Sequence, residues 1–535
     1  MKRILALVLA LMLVLTGCAG TGSITGVKGK YTPYSEMVYT RPEPEVMELL
    51  LERCCETART DTSLERVMAA VYQYYDAYDA FYTNYDLAYI GYNRDVTDEY
   101  WDGEFTFCAE CANGVEAGLE ELYRALAQSP IREELERVYF GVGFFEAYDG
   151  EGIWDPYFLD LMDRESMLIS EYYALCEEAN SVEYYSQAYF DGYADAMCQK
   201  LIDLVLLRRE LAAYVGYEGY DQFAYDFYHY RDYTPEQAME YLLSIRDEMA
   251  SLYSRVNETD AWDAGYAWAG EQDMINYLSA VAKNMGGTVL EAYRLMEAAG
   301  LYDIAYSEKK FASSFELYLT VYGEPYVFVS PSGYLMDCLS FTHEFGHFVT
   351  DYSVPGGSWA GTDVLEVFSQ GMEYLSLAYA GEYHALVRYK LADCLATYVE
   401  QAAYACFEQR LYALTEEELT VEHVYALYEQ TVTEFGLDYE GMGWDYRDVV
   451  MVPHFYTDPM YIISYVVSND LAFQLYQQEL EQPGRGLETF VENLDTECVY
   501  LLEFAGDAGL ESPFTPGRIS SVASELEELL NKPMG

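Results

Sequence analysis

Cations are what this chain has least of. Its 535 residues hold 30 lysines and arginines against 91 aspartates and glutamates, a formal charge of −61. Such a surface repels both a phosphate backbone and anionic lipid headgroups, which argues against nucleic acid and against electrostatic docking on a membrane. Histidines number six. Beyond the N-terminus there is no run of about 18 apolar residues, so no later segment is expected to span a bilayer. No internal repeat and no low-complexity core segment occurs. The 11 cysteines are too scattered for a disulfide scaffold. Cys108-x-x-Cys111 has no second pair and reads as two neighbours on a helix.

What is present is apolar mass: 51% of the residues are hydrophobic and 57 are tyrosines. That is enough for a large buried core, with tyrosine serving as packing bulk that carries a polar tip. The N-terminus is patterned as a targeting segment. Lys2 and Arg3 precede the apolar run Ile4 to Leu15, which is too short to span as an ordinary helix. Leu15-Thr16-Gly17-Cys18 then resembles a bacterial lipobox. This predicts a lipoprotein signal peptide over 1–18, lipidation at Cys18, and anchoring to the cell membrane on its extracytoplasmic side. Residues 19–44 are small, polar and Pro/Gly-bearing, and read as a flexible tether.

After the tether, apolar spacing of three to four predicts long helices over 45–60, 63–89 and 201–214. Thr234-Pro235-Glu236-Gln237 predicts a capped helix start. One region reads as a hairpin: 315–321 and 325–330 are aromatic and β-branched, with Tyr322-Gly323-Glu324 between them. A free edge around Tyr326 to Ser330 is expected to accept an extended peptide.

The hairpin leads into His343-Glu344-Phe345-Gly346-His347. Histidines at i and i+4 project from one face of a helix, as two zinc ligands require. Glu344 lies beside that face, where it can take a proton from an attacking water. With so few histidines, a chance match is rare. A hydrolytic zinc site needs a third protein ligand and an open position. Downstream, Glu366 and Glu373 share a helix face, and no His-x-x-Gly-x-x-His continuation follows His347. Glu366 is the better third ligand because apolar Leu365, Val367 and Phe368 flank it; Glu373 is expected to be solvated or to support a ligand. Near the C-terminus, His454-Phe455-Tyr456 and Tyr461 to Tyr465 offer donors for a developing oxyanion.

Together these segments resemble the M3 metallopeptidases, most closely oligoendopeptidase F. The pieces that carry the resemblance are Pro325–Val329, Phe341–His347, Glu366–Gln370 with Glu373, His454–Tyr456 and Tyr461–Tyr465, with Phe223–Tyr225 and Arg231–Glu236 upstream. The interval from His347 to Glu366 is a few residues shorter than the family pattern, and the segment after His454 is one residue longer.

The resemblance implies a mainly α fold, with two helical lobes around a deep catalytic cleft and a small β-hairpin beside the motif helix. The resemblance covers roughly 201–504, within an M3-like catalytic region (201–515); an N-terminal helical lobe (45–200) is expected from helical pattern alone, and a C-terminal tail helix over 516–535. It also implies one zinc per chain on His343, His347 and Glu366, with Glu344 as general base. Tyr465 is the implied oxyanion donor, followed by His454 and Tyr461. The expected reaction is internal cleavage of short oligopeptides by water activated by Glu344 at the zinc. The alternative is a lipoprotein that captures peptides without turnover.

Overall fold

Capping side chains set the first helices. Ser63 accepts the Arg66 amide and Asp98 the Tyr100 amide, opening the second and third of α1 (Pro44–Thr60), α2 (Leu64–Arg94) and α3 (Glu99–Ala127). The computed structural model describes residues 31–149, 155–179, 190–381, 385–437 and 445–532. The expected signal peptide and Cys18 therefore lie outside the described residues. Cys108 and Cys111 sit on α3 as free thiols.

The three helices bury Val67, Val71, Tyr74, Leu122 and Tyr123 in a core of their own, which closes at Phe140, Phe145 and Tyr148. The first lobe thus ends near residue 148, short of the expected 200. Helices α4 (Pro156–Ala179) and α5 (Asp195–Tyr214) instead turn Phe158, Leu161, Met197 and Leu201 into the main core. Helical periodicity is the same on both sides of this boundary, so the pattern alone does not say which core a helix joins.

The C-terminal part of the expected tether is docked. Tyr34 lies 4.3 Å from the Tyr326 ring, the Val38 amide donates to the Tyr322 hydroxyl, and Arg41 pairs with Glu104 at 2.7 Å. These contacts tie residues 34–41 to both the sheet and the first lobe.

Helix α6 (Pro235–Asn257) starts as its sequence predicts. Thr234 and Gln237 form a reciprocal capping box, with proline in the first turn.

The sheet has β1 (Tyr302–Asp303), β2 (Ser314–Leu319) and β3 (Glu324–Val329) in the order β1-β3-β2. β2 and β3 form the expected antiparallel hairpin, with Ser314 opposite Val329. β1 adds in parallel through Tyr302 and Asp303, opposite Val327 and Phe328. This corrects the expected edge. The strand containing Tyr326 is central and fully buried, and among the described residues the free hairpin edge belongs to β2. Two residues of β1 carry no sequence pattern that would announce a strand.

Asp337 then fixes the step from sheet to helix. Its Oδ1 accepts from the Ser332 amide and hydroxyl, and its Oδ2 accepts from the Gly333 and Tyr334 amides, at 2.7–3.1 Å. Helix α7 (Asp337–Ser353) carries the histidine motif and packs on α8 (Thr362–Tyr379). Further on, α9 (Ala385–Ala396) and α10 (Ile463–Glu481) complete the body around α8. Helix α11 (Arg518–Asn531), the expected tail helix, is part of the main core. Val522 and Leu526 are buried there, and Arg518 pairs with the fully buried Asp470 at 3.0 Å. No helix among the described residues is long and apolar enough to cross a membrane.

Candidate active site

Gly346 decides how closely the helix of the histidine motif and the helix of Glu366 approach. A Cβ at this position would lie 2.6 Å from Ser369 Cα and 2.8 Å from the Phe368 carbonyl oxygen. Glycine therefore lets the backbone of α8 lie against α7 at the level of the histidines. The result is that single ligand atoms of His343, His347 and Glu366 all fall within 4.8 Å of one another. Glu366 Oε2 is 3.4 Å from His343 Nε2, and its Oε1 is 3.9 Å from His347 Nε2.

The outer face of the trio is ordered as well. His343 Nδ1 meets Glu373 Oε1 at 2.9 Å, so the unused ring nitrogen is held by a carboxylate and Nε2 is turned inward. Glu373 is buried rather than solvated. Its Oε2 pairs with Lys390 of α9 at 2.7 Å, and Lys390 pairs in turn with Asp393 at 2.8 Å. Ser369 donates to Glu366 Oε2 at 2.9 Å, and Tyr461 donates to Glu366 Oε1 at 2.6 Å.

The electrostatics follow from burial and pairing. Burial alone would raise the Glu366 carboxyl, but the hydrogen bond from His343, the nearby imidazoles and the Tyr461 hydroxyl bring it down to about 2. Burial lowers His347 to about 4, leaving a neutral ring with a free lone pair. Burial also acts to lower His343, yet the hydrogen bonds to Glu366 and Glu373 outweigh it and hold the ring well above its ordinary value. A positive charge is thus favoured between His343 Nε2 and Glu366. Burial pushes Glu344 up to about 8.

Beside the trio, the Tyr465 hydroxyl lies 3.3 Å from His454 Nε2, and the Tyr461 and Tyr465 rings are 5.2 Å apart. Burial holds His454 below its usual range and both phenols well above theirs, so the tyrosines keep their protons. The structure therefore brings together all seven residues singled out in the sequence outside the N-terminus: His343, Glu344, His347, Glu366, His454, Tyr461 and Tyr465.

Several supporting groups were not singled out. The turn before α10 places Met460 at φ +65°, a strained setting for a side chain with a Cβ. Arg231 donates to the Met460 carbonyl at 2.8 Å, His229 Nε2 meets the Pro459 carbonyl at 2.9 Å, and Glu408 accepts the Met460 amide at 2.8 Å. Arg231 is itself paired with buried Asp363 of α8, which also accepts from Tyr233 at 2.7 Å. Among the supporting groups, only Lys390 carries a usable signal in the sequence: in a chain this poor in cations, a lysine between Tyr389 and Leu391 is a candidate for buried pairing.

Comparison with known proteins accords with this architecture. Residues 34–148 match the family model described as the Peptidase M3 N-terminal domain, the same stretch that closes its own core. No curated protein matches the chain. Among solved structures, PZ peptidase A with an inhibitor is 19% identical with a TM-score of 0.80, covering 93% of this chain and 99% of that one. A Bacillus anthracis str. Ames protein described as an oligoendopeptidase F is 19% identical with a TM-score of 0.77, over 94% and 98% of the two chains. Oligoendopeptidase-F from Enterococcus faecium is 15% identical with a TM-score of 0.55, over 91% and 96%. The chain therefore shares the fold of these proteins across nearly its whole length.

Proposed function

We propose that this chain is a zinc-dependent endopeptidase that hydrolyses short oligopeptides. The observation that carries the reading is the convergence of His343, His347 and Glu366 within 4.8 Å, with Glu344 on the same helix. Two imidazole nitrogens and one carboxylate oxygen form a donor set that suits zinc in a hydrolytic site, and a neutral His347 beside an ionised Glu366 offers lone pairs to a bound cation. Zinc held there supplies Lewis-acid charge at the scissile carbonyl and acidifies water.

The residues of this chain do the rest. Glu344 takes the proton of the attacking water and later delivers it to the leaving amine. Tyr465, backed by His454, donates to the oxyanion as it develops, while Tyr461 holds Glu366 in its ligating orientation. Glu373 and Lys390 fix the His343 ring. An extended peptide pairs with the free edge of β2, and folded proteins are spared because their backbone cannot reach the cleft. The N-terminal pattern around Cys18 supports a membrane-anchored lipoprotein acting outside the cytoplasm.

The test combines metal analysis with a quenched ten-residue peptide. About one zinc per chain is expected, with hydrolysis abolished by a chelator and restored by zinc. Glu344→Gln should keep its zinc and lose nearly all turnover, whereas Glu366→Ala should lose most of its zinc. Tight peptide binding by the zinc-loaded wild-type protein without hydrolysis would leave a peptide-capturing lipoprotein instead.

A further inference from the structure

A cavity of about 400 Å³ opens where α4 of the main body faces the turn that leads into α10. Tyr461 lines it, and the Tyr461 hydroxyl reaches Glu366, so the cavity borders the proposed reaction centre. Met162, Ile169 and Tyr228 give it apolar walls.

Three ionisable groups also line it, and two of them are already balanced. Glu165 is paired with the fully buried Arg208 at 2.6 Å. His229 is kept neutral by burial, which lowers it to about 3, and its Nε2 is engaged by the Pro459 carbonyl. Asp458 is different. It is exposed to the cavity, its side chain accepts from the hydroxyl of its neighbour Thr457 at 2.6 Å, and no Lys, Arg or His lies within ion-pairing distance among the described residues.

The cavity thus presents one uncompensated carboxylate above apolar walls. An anion would be repelled. An apolar group would strip water from Asp458 without replacing it. A long basic group satisfies both parts, with methylenes on the walls and charge on the carboxylate.

We propose that this cavity is a specificity pocket in which Asp458 pairs with a cationic group of the peptide substrate. The inference deepens the peptidase reading above and rests on it. Two sources supply the same chemistry: a lysine or arginine side chain at a fixed distance from the scissile bond, or the free α-amine of a short peptide. The pocket differs from the diffuse field of the acidic surface. The field favours cations at every position and fades with salt, whereas the pocket favours one position only.

The experiment scans lysine against norleucine through each position of a quenched peptide, with the N-terminus free or acetylated, in 0.15 M salt. At one position kcat/KM should favour lysine on the order of tenfold, the scale of one ion pair formed in a partly desolvated site. If the preference sits only at the N-terminus and acetylation removes it, the cation is the α-amine. Asp458→Asn should bring the lysine-to-norleucine ratio close to one, and Asp458→Lys should push it below one at that position. The same peptides are also titrated onto Glu344→Gln protein by fluorescence anisotropy, which reads the pocket without turnover. A preference of equal size at all positions, or a ratio untouched by Asp458→Asn, overturns the proposal. If no peptide is cleaved, the peptidase reading falls, and the pocket is judged on the binding ratio alone.

Discussion

At the scale of single residues, two tyrosines one helical turn apart take different partners. Tyr461 donates to Glu366, whereas Tyr465 faces His454. A donor used only in the transition state affects kcat, while one that orients a metal ligand affects metal retention. Tyr465→Phe is therefore expected to lower kcat on the order of 100-fold with KM and zinc content nearly kept, in line with loss of one oxyanion donor. Tyr461→Phe should show as weaker zinc retention under chelator competition. If Tyr461→Phe carries the kcat loss and Tyr465→Phe does not, the two roles are exchanged. The placement of His343, Glu344 and His347 was legible because their spacing maps directly onto one helix. The pairings of Lys390 with Glu373, Asp363 with Arg231 and Glu408 with Met460 were not, because each is made only through tertiary packing. Neither Lys390–Glu373 nor Glu408–Met460 has a local pattern in the sequence.

At the scale of elements, the site depends on how tightly α7 and α8 approach. Gly346 faces backbone atoms, which cannot rotate away as a side-chain tip can. Gly346→Ala must separate the helices or tilt one of them, and overpacking of this kind costs about 1–3 kcal/mol. The expected outcome is a lower midpoint in thermal melts together with weakened zinc binding, since His343 and Glu366 move apart. A variant that melts and binds zinc as the wild type does would show that the helix contact is slack. Element type was readable throughout: the capped start at Thr234, the β2–β3 hairpin and the motif helix lie where their patterns place them. What escaped was the two-residue strand β1, and with it the identity of the free edge. The docked segment 34–41 also escaped, since its contacts are made by single tyrosines and an arginine in an otherwise loop-like stretch.

At the scale of the whole molecule, acid is the dominant chemistry, and some of it is buried. Burial raises Glu408, Asp448 and Asp86 each to about 7. A carboxyl with a raised folded value stays protonated in the fold while the unfolded chain has already ionised. Its contribution is therefore full below about pH 4 and is lost as pH rises through about 7. The buried, neutral His229, His347 and His454 oppose this below about pH 6.5, but the raised carboxyls, Glu344 and Glu316 among them, outnumber them; Glu366 and Glu373, whose values are lowered, oppose it only in more acid solution. The surface charge of −61 adds self-repulsion that also grows with pH. The metal-free protein should accordingly melt at a higher temperature at pH 5.5 than at pH 8, and Glu408→Gln should shrink the difference. A midpoint that falls steadily from pH 8 to 5.5 would mean that these carboxyls ionise freely in the fold.

The separate core of the first lobe bears on how such a protein can change over time. Much of 54–148 is stabilised by its own buried cluster, while Leu87 and Ile90 of α2 join the cluster that holds α7 and α8. Substitutions confined to one cluster add to those in the other instead of compounding with them. The first lobe can therefore drift in sequence while the group around His343 and Glu366 stays under separate selection, so one architecture tolerates change in one half without cost to the other.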